Sequence, residues 1–232
     1  MPAKMSTVAP MTKTPDISEV ETFADLWERL GKVPLDRIRM KPPPGKATVK
    51  DAARLLDAAN KRLCELVDGV LVEKAMGWQE ALLGMSLARW LGNFIDEHDL
   101  GVILGEGGAA EIFTGQVRIP DIAFYSWRRF PNGNLPDAPI PYLFPDLAVE
   151  VISISNTPGE MERKLRDYFK AGVKLVWYIY PKKKQVAVYT GVEECTWLKA
   201  GDTLTGEPVL PGFSVPVTQL FAKPGRGRRA RR

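Results

Sequence analysis

Apolar residues recur along this chain with two periods, and each change of period marks an element. In "SEVETFADLWERL" (18–30), Phe23, Trp27 and Leu30 share one helical face. Ser18 stands three residues before Glu21, the spacing of a capping box, so a short helix is expected here. "KPPPGK" (41–46) breaks the pattern and reads as a linker. Thr48 is placed to cap a helix running to about Ala59. "RLCELVDGVLVEK" (62–74) predicts a hairpin around Asp68-Gly69. "WQEALLGMSLARWLGNFIDEH" (78–98) carries the longest helical period. Leu82, Met85, Ala88 or Arg89, and Gly92 mark its expected apolar face, widened by Leu83, Leu87, Trp90, Leu91 and Phe94.

Beyond residue 100 the period shortens. Strands are expected near 102–104, 110–113 and 117–125, then a proline-rich loop over 131–145 and a strand over 146–153. A helix follows from about Pro158 to Ala171, then strands at 174–180, 185–190 and 195–199. "PVLPGFSVPVTQLF" closes the fold. No internal repeat is visible. Helices alternating with runs of strands indicate α/β or α+β, a sheet flanked by helices. "GEGGAA" (105–110) matches a dinucleotide-binding spacing, but that motif requires a helix next. The following "EIFTGQVRIPD" is strand-like, so a glycine-rich turn is expected.

Two of the strands contain an acid where the pattern calls for apolar residues. In "PDLAVEVI" (145–152), alternation places Ala148, Glu150 and Ile152 on one face and Leu147, Val149 and Val151 on the other. In "VRIPDIAFYS" (117–126), Asp121 shares a face with Ile119 and Ala123. A buried carboxylate without a partner costs several kcal/mol or takes up a proton. Each acid therefore either has an ion-pair partner, lies in water at a strand end, or belongs to a site. Two carboxylates converging from adjacent strands make an oxygen-lined site suited to Mg²⁺ or Mn²⁺. In the helix 158–171, Met161, Leu165, Tyr168 and Phe169 form the apolar face and Lys164 lies at its border. Its stem can run along apolar surface and bring the ammonium over the sheet edge. The plainer alternative is a surface Glu160–Lys164 pair at i,i+4, worth a few tenths of a kcal/mol.

Composition narrows the chemistry. The chain of 232 residues suits one domain of moderate size with appendages. No run approaches the roughly 20 apolar residues of a membrane span. The start lacks the apolar stretch of a signal peptide, and the two cysteines, Cys64 and Cys195, have no metal-type spacing, so a reduced, cytoplasmic setting is expected. The single histidine, His98, falls at a helix C-terminus, where a cation is favoured. A Cys/His zinc cluster lacks the residues it needs, and a Ser-His-Asp triad would rest on His98 alone, with no nucleophile-elbow motif beside it. The net charge is +4, but the last ten residues, "KPGRGRRARR", carry one Lys and five Arg. Subtracting that +6 from +4 leaves −2 for the remainder, a mildly acidic body with a basic tail. Lys223, Arg226, Arg228, Arg229, Arg231 and Arg232 are accordingly the candidate nucleic-acid contacts, with a simply solvated tail as the alternative.

"VRIPDIAFYS" followed by "PDLAVEVISISNTPGEMERKLRDYFKAGVKLVWYIYPKKKQVAVYT" resembles the Uma-type family of endonucleases, a branch of the PD-(D/E)XK restriction-endonuclease-like superfamily. The likeness runs from about Thr48 to Phe221 and is most specific over 117–190. It implies an αβββαβ core, a central mixed sheet flanked by helices, over a domain at 47–222 preceded by an N-terminal extension (1–46) and followed by the tail 223–232. Asp121 takes the place of the superfamily's Asp and Glu150 that of its Asp/Glu. The usual Lys two residues after the Glu is Ile152 here, and the branch carries its Lys on the following helix, where Lys164 lies. Helix 78–98 corresponds to the first core helix, which often adds an acid facing the metal. Glu80 is the matching candidate, and Gln79 stands where many relatives carry a histidine or another polar residue. Tyr180 departs from the Asp that commonly precedes the proline.

The resemblance thus implies metal-dependent hydrolysis of DNA. Asp121, Glu150, the Val151 carbonyl and Glu80 would bind Mg²⁺ or Mn²⁺, and Lys164 would orient the water or stabilise charge on the phosphate. DNA is the expected partner, no membrane is, and a homodimer is compatible. The competing expectation is a binding or assembly protein on a nuclease-derived fold, favoured by the acidic body.

Overall fold

The structure is a computed structural model and describes residues 20–75 and 77–222. The expected Ser18 cap and the basic tail lie outside the described residues. The first helix, α1 (Phe23–Arg29), is capped by Thr22, whose hydroxyl accepts from Asp25 N–H at 3.2 Å while Asp25 Oδ2 accepts from Thr22 N–H at 2.9 Å. Thr48 precedes α2 (Val49–Asp57), as expected, and Asp51 closes back on its N–H at 2.9 Å. The hairpin β1 (Cys64–Val67) and β2 (Val70–Glu73) turns at Asp68 and Gly69, both at positive φ (49° and 70°), the geometry that favours an Asp-Gly pair.

Helix α3 (Trp78–Glu97) forms where the period predicts, but its buried face is rotated from the expected one. Gly84, Leu87, Leu91 and Ile95 are buried, whereas Trp78, Leu82 and Met85 are exposed. Apolar residues surround so much of this helix that the sequence sets its period without setting its phase. Packing against the sheet decides the phase. At its C-terminus His98 caps the helix with Nδ1 2.9 Å from Phe94 O.

The central sheet has six strands in the order β10-β9-β8-β7-β6-β3. These are β3 (Gly101–Leu104), β6 (Ile122–Ser126), β7 (Leu147–Val151), β8 (Leu175–Tyr180), β9 (Gln185–Tyr189) and β10 (Cys195–Leu198). Only β7 and β8 run parallel, joined by α4 (Pro158–Ala171), so the sheet is mixed. The series α3, β3, β6, β7, α4, β8 is the αβββαβ core. A second sheet, β2-β1-β5-β4, is built from the hairpin plus β4 (Ala110–Phe113) and β5 (Gln116–Arg118). A short pair follows, β11 (Thr203–Gly206, absent from the sequence-based expectation) and β12 (Leu210–Pro216). The chain ends in the one-turn α5 (Val217–Leu220). Residues 105–109 form the expected turn before β4, with Gly108 N–H on Gly105 O at 3.1 Å.

Strand β7 is buried along its whole length. Leu147, Val149 and Val151 meet α3, while Ala148 meets Met161, Leu165 and Tyr168 of α4, the alternation read from the sequence. The expected strand 117–125 is instead two strands. Its first half, β5, pairs in the second sheet and its second half, β6, in the central one. Pro120 lies between them, and a proline cannot continue a ladder as donor. Asp121 is therefore not inside a strand but at the junction of the two sheets. The segment 20–46 packs on the hairpin and on α4: Leu26, Leu30, Val33 and Ile38 form a cluster with Val67, Val70 and Val72. A Cβ on Gly31 would lie 2.3 Å from Glu160 N, so this close approach requires glycine. Among the described residues no helix is long and apolar enough to cross a membrane.

Candidate active site

Glu150 sits on the α4 face of β7, 4% exposed, with its neighbours supplying the missing charge. Thr157 caps α4, Pro158 begins it, and Gly172 at φ 98° ends it, which fixes the helix across the strand. Lys164 and Tyr168, one turn apart on α4, both reach Glu150 Oε1: Lys164 Nζ at 3.1 Å and the Tyr168 hydroxyl donating at 2.6 Å. The described bonds fall on Oε1 and leave Oε2 as a further acceptor. Lys164 is 2% exposed, so the surface Glu160–Lys164 pair is not what forms. Glu160 instead pairs with Arg37 at 2.6 Å.

Lys164 also meets a carboxylate that sequence reasoning did not single out. Glu65 of β1, 2% exposed, places Oε1 3.0 Å from Lys164 Nζ and accepts from Ile119 N–H at 3.1 Å. Its Oε2 lies 2.7 Å from Arg118, which in turn binds Asp167. The signal was present in "CELV", an acid within an apolar strand like Glu150 in β7. Burial opposes ionisation of Glu65, but Lys164 and Arg118 outweigh it and bring its pKa down to about 2. Glu150 moves the other way. Burial dominates, Lys164 and Lys74 offset it in part, and the like charges of Asp121 and Glu65 add to it, so its pKa is raised. Burial works against the Lys164 ammonium, yet Glu150 and Glu65 hold it above its ordinary range.

Asp121 brackets Glu150. Its N–H donates to Val149 O at 2.9 Å and its Oδ2 accepts from Val151 N–H at 2.6 Å. Its Oδ1 lies 2.7 Å from Lys74 Nζ, a second lysine that the sequence reading passed over. Lys74 follows Glu73 at the end of β2 and reads as an ordinary solvated charge, but its side chain is only 3% exposed and also donates to Ile119 O at 2.6 Å. The structure therefore brings together Asp121, Glu150 and Lys164 with Glu65, Lys74 and Tyr168 from four separate strands and one helix or their ends.

Asp121, Val151 and Glu80 line one cleft of about 100 Å³, between the start of α3 and the Gly105–Glu106 turn. Glu80 occupies the first turn of α3, against Gly77. The donors facing this cleft are oxygens, the chemistry of a hard divalent cation. Among the described residues no group of three or more His, Cys, Asp or Glu is already gathered as a metal cluster. Lys74 and Lys164 currently neutralise the two acids.

Residues 49–218 match the Uma2 family, described as "Putative restriction endonuclease". A crystal structure from Anabaena variabilis ATCC 29413, titled a putative nuclease belonging to DUF820, is similar in fold. It has a TM-score of 0.61 at 19% identity, over 68% of this chain and 89% of that one. No curated protein matches the chain. With its restriction-endonuclease-like αβββαβ core and a family match that runs from α2 into α5, the chain belongs to the Uma2 family.

Proposed function

We propose that the protein is a metal-dependent endonuclease that hydrolyses DNA phosphodiester bonds. The observation that carries this reading is the meeting of Asp121, Glu150 and Lys164 at one corner of the central sheet, where Asp121 is bonded to both residues flanking Glu150. Asp121, Glu150, the Val151 carbonyl and Glu80 would hold Mg²⁺ or Mn²⁺. Such an ion, when bound, lowers the pKa of a coordinated water and polarises the scissile phosphate.

The chain's own groups have distinct tasks in this reading. Lys164 keeps its proton, because two carboxylates face it, and so presents a fixed positive charge toward the phosphate oxygens. Tyr168 and Lys164 fix the orientation of Glu150 by holding Oε1. Val151 N–H orients the Asp121 carboxylate. The basic tail, Lys223 to Arg232, would add salt-sensitive affinity for the DNA backbone without base readout.

The test is nicking of supercoiled plasmid with Mn²⁺, with Mg²⁺ and with chelator, by the wild type and Asp121→Asn. Asparagine keeps an acceptor for Val151 N–H but removes the charge. Metal-dependent cleavage lost in Asp121→Asn supports the reading. Equal cleavage by both proteins, or no cleavage by the wild type with any of these ions, overturns it and leaves a DNA-binding or assembly protein on a nuclease-derived fold.

A further inference from the structure

Lys74 holds an oxygen of Asp121 with a side chain that is 3% exposed, and the reading above gives it no task. Its ammonium is held at two points, 2.7 Å from Asp121 Oδ1 and 2.6 Å from Ile119 O. The other Asp121 oxygen is committed to Val151 N–H at 2.6 Å. A divalent cation that used Asp121 would therefore share Oδ1 with this ammonium. Two positive charges on one oxygen of a partly buried carboxylate repel.

Lys164 does not create the same conflict. Its bonds fall on Glu150 Oε1 and Glu65 Oε1, and neither oxygen belongs to Asp121. Lys74 alone stands on the carboxylate that also lines the cleft with Glu80 and Val151. The origin of the two lysines differs too. Lys164 comes from α4 of the central core, Lys74 from the end of β2 in the second sheet.

We propose that Lys74 is a resident counter-ion that competes with the divalent cation for Asp121, so that occupancy of the site requires Lys74 to give up Oδ1. This rests on the metal-dependent reading of the site. While in place, Lys74 neutralises Asp121 and holds its carboxylate in position. Once displaced, it remains tethered beside the cleft and can face the negatively charged phosphate instead.

Mn²⁺ binding measured by calorimetry on the full chain, without DNA, tests this independently of cleavage. Lys74→Met removes the charge and keeps an unbranched side chain of similar length. It should bind Mn²⁺ about 10-fold or more tightly than the wild type, the usual effect of removing a like charge within a few ångströms. The exposed Lys50→Met on α2 controls for net charge and should match the wild type. Lys74→Gln, which retains a donor for Asp121 and Ile119 O, gives the same comparison should Lys74→Met melt early. Unchanged or weaker Mn²⁺ affinity in the folded Lys74 variant overturns the proposal. Metal-dependent cleavage by the wild type in that case leaves the nuclease reading standing, so the two failures are distinguishable. Mn²⁺ binding that appears only in the Lys74 variant supports the competition directly.

Discussion

The ammonium of Lys164 lies 3.1 Å from Glu150 Oε1, in a setting where both residues are buried. A charge pair inside the core behaves differently from one on a surface. Deleting a surface partner costs a few tenths of a kcal/mol, but deleting one member of a buried pair leaves the other uncompensated and typically costs about 3–5 kcal/mol. Lys164→Ala removes a cation from Glu150 and from Glu65, of which Glu65 keeps Arg118, so urea unfolding should show a loss in that range.

The same residue should matter to rate. Under conditions where Lys164→Ala remains folded, Mn²⁺-dependent cleavage should fall on the order of 10²-fold or more, because a preorganised charge beside a developing anion is worth a few kcal/mol. Lys170→Ala is the matched control. It removes a lysine of the same helix that lies over the Phe113 ring, 4.6 Å from its centroid, rather than at the acids. Equal residual activity in the two variants would remove Lys164 from the mechanism.

Acid stability should report Glu65. Its carboxyl is held at about 2 against an ordinary 4.5, so the folded protein gives up this proton at lower pH than the unfolded chain does. The resulting stabilisation is complete above 4.5 and is lost as pH falls toward 2. Glu150, with its raised pKa, contributes in the opposite sense. It favours the folded state on the acid side, and that contribution is lost as pH rises through its folded value. Glu65→Gln should therefore flatten the fall in urea midpoint between about pH 6 and about pH 3. An unchanged slope would show that Glu65 is not a main acid-sensitive group.

Tyr168→Phe removes a single donor from Glu150, the hydroxyl bonded at 2.6 Å. The lost bond served the ionised form, so the pKa of Glu150 should rise further. The stability cost at neutral pH should be about 1–3 kcal/mol, that of an acceptor left short of a partner in the interior. Chemical denaturation checks it, and a cost near zero would mean that water replaces the hydroxyl.

Removal of residues 223–232 deletes six positive charges. If all six meet phosphates, the slope of log affinity against log salt becomes shallower by up to about 5. Binding to DNA across a salt titration measures this. An unchanged slope would assign the tail to solvent.

Much of this was written in local patterns. The helical period of 158–171, the alternation that buries Glu150 in β7, the Asp68-Gly69 turn and the border position of Lys164 each depend on neighbours within a few residues, and each element formed where the pattern places it. The sequence alone also determined that any chemistry rests on carboxylates and lysines, because one histidine and two separated cysteines exclude most other sites.

Tertiary structure decided what those patterns leave degenerate. The phase of α3 followed from which apolar residues met the sheet, since apolar side chains lie on most sides of that helix. Pro120 split a continuous apolar run between two sheets and so set Asp121 at their junction. Glu65 and Lys74, 99 and 47 positions from their partners Lys164 and Asp121, became site residues because a separate hairpin docks on the central core. The physical reason is that local periodicity sets which face a side chain occupies, whereas the charge it meets there is supplied by elements distant in the chain, through packing that no short window of sequence contains.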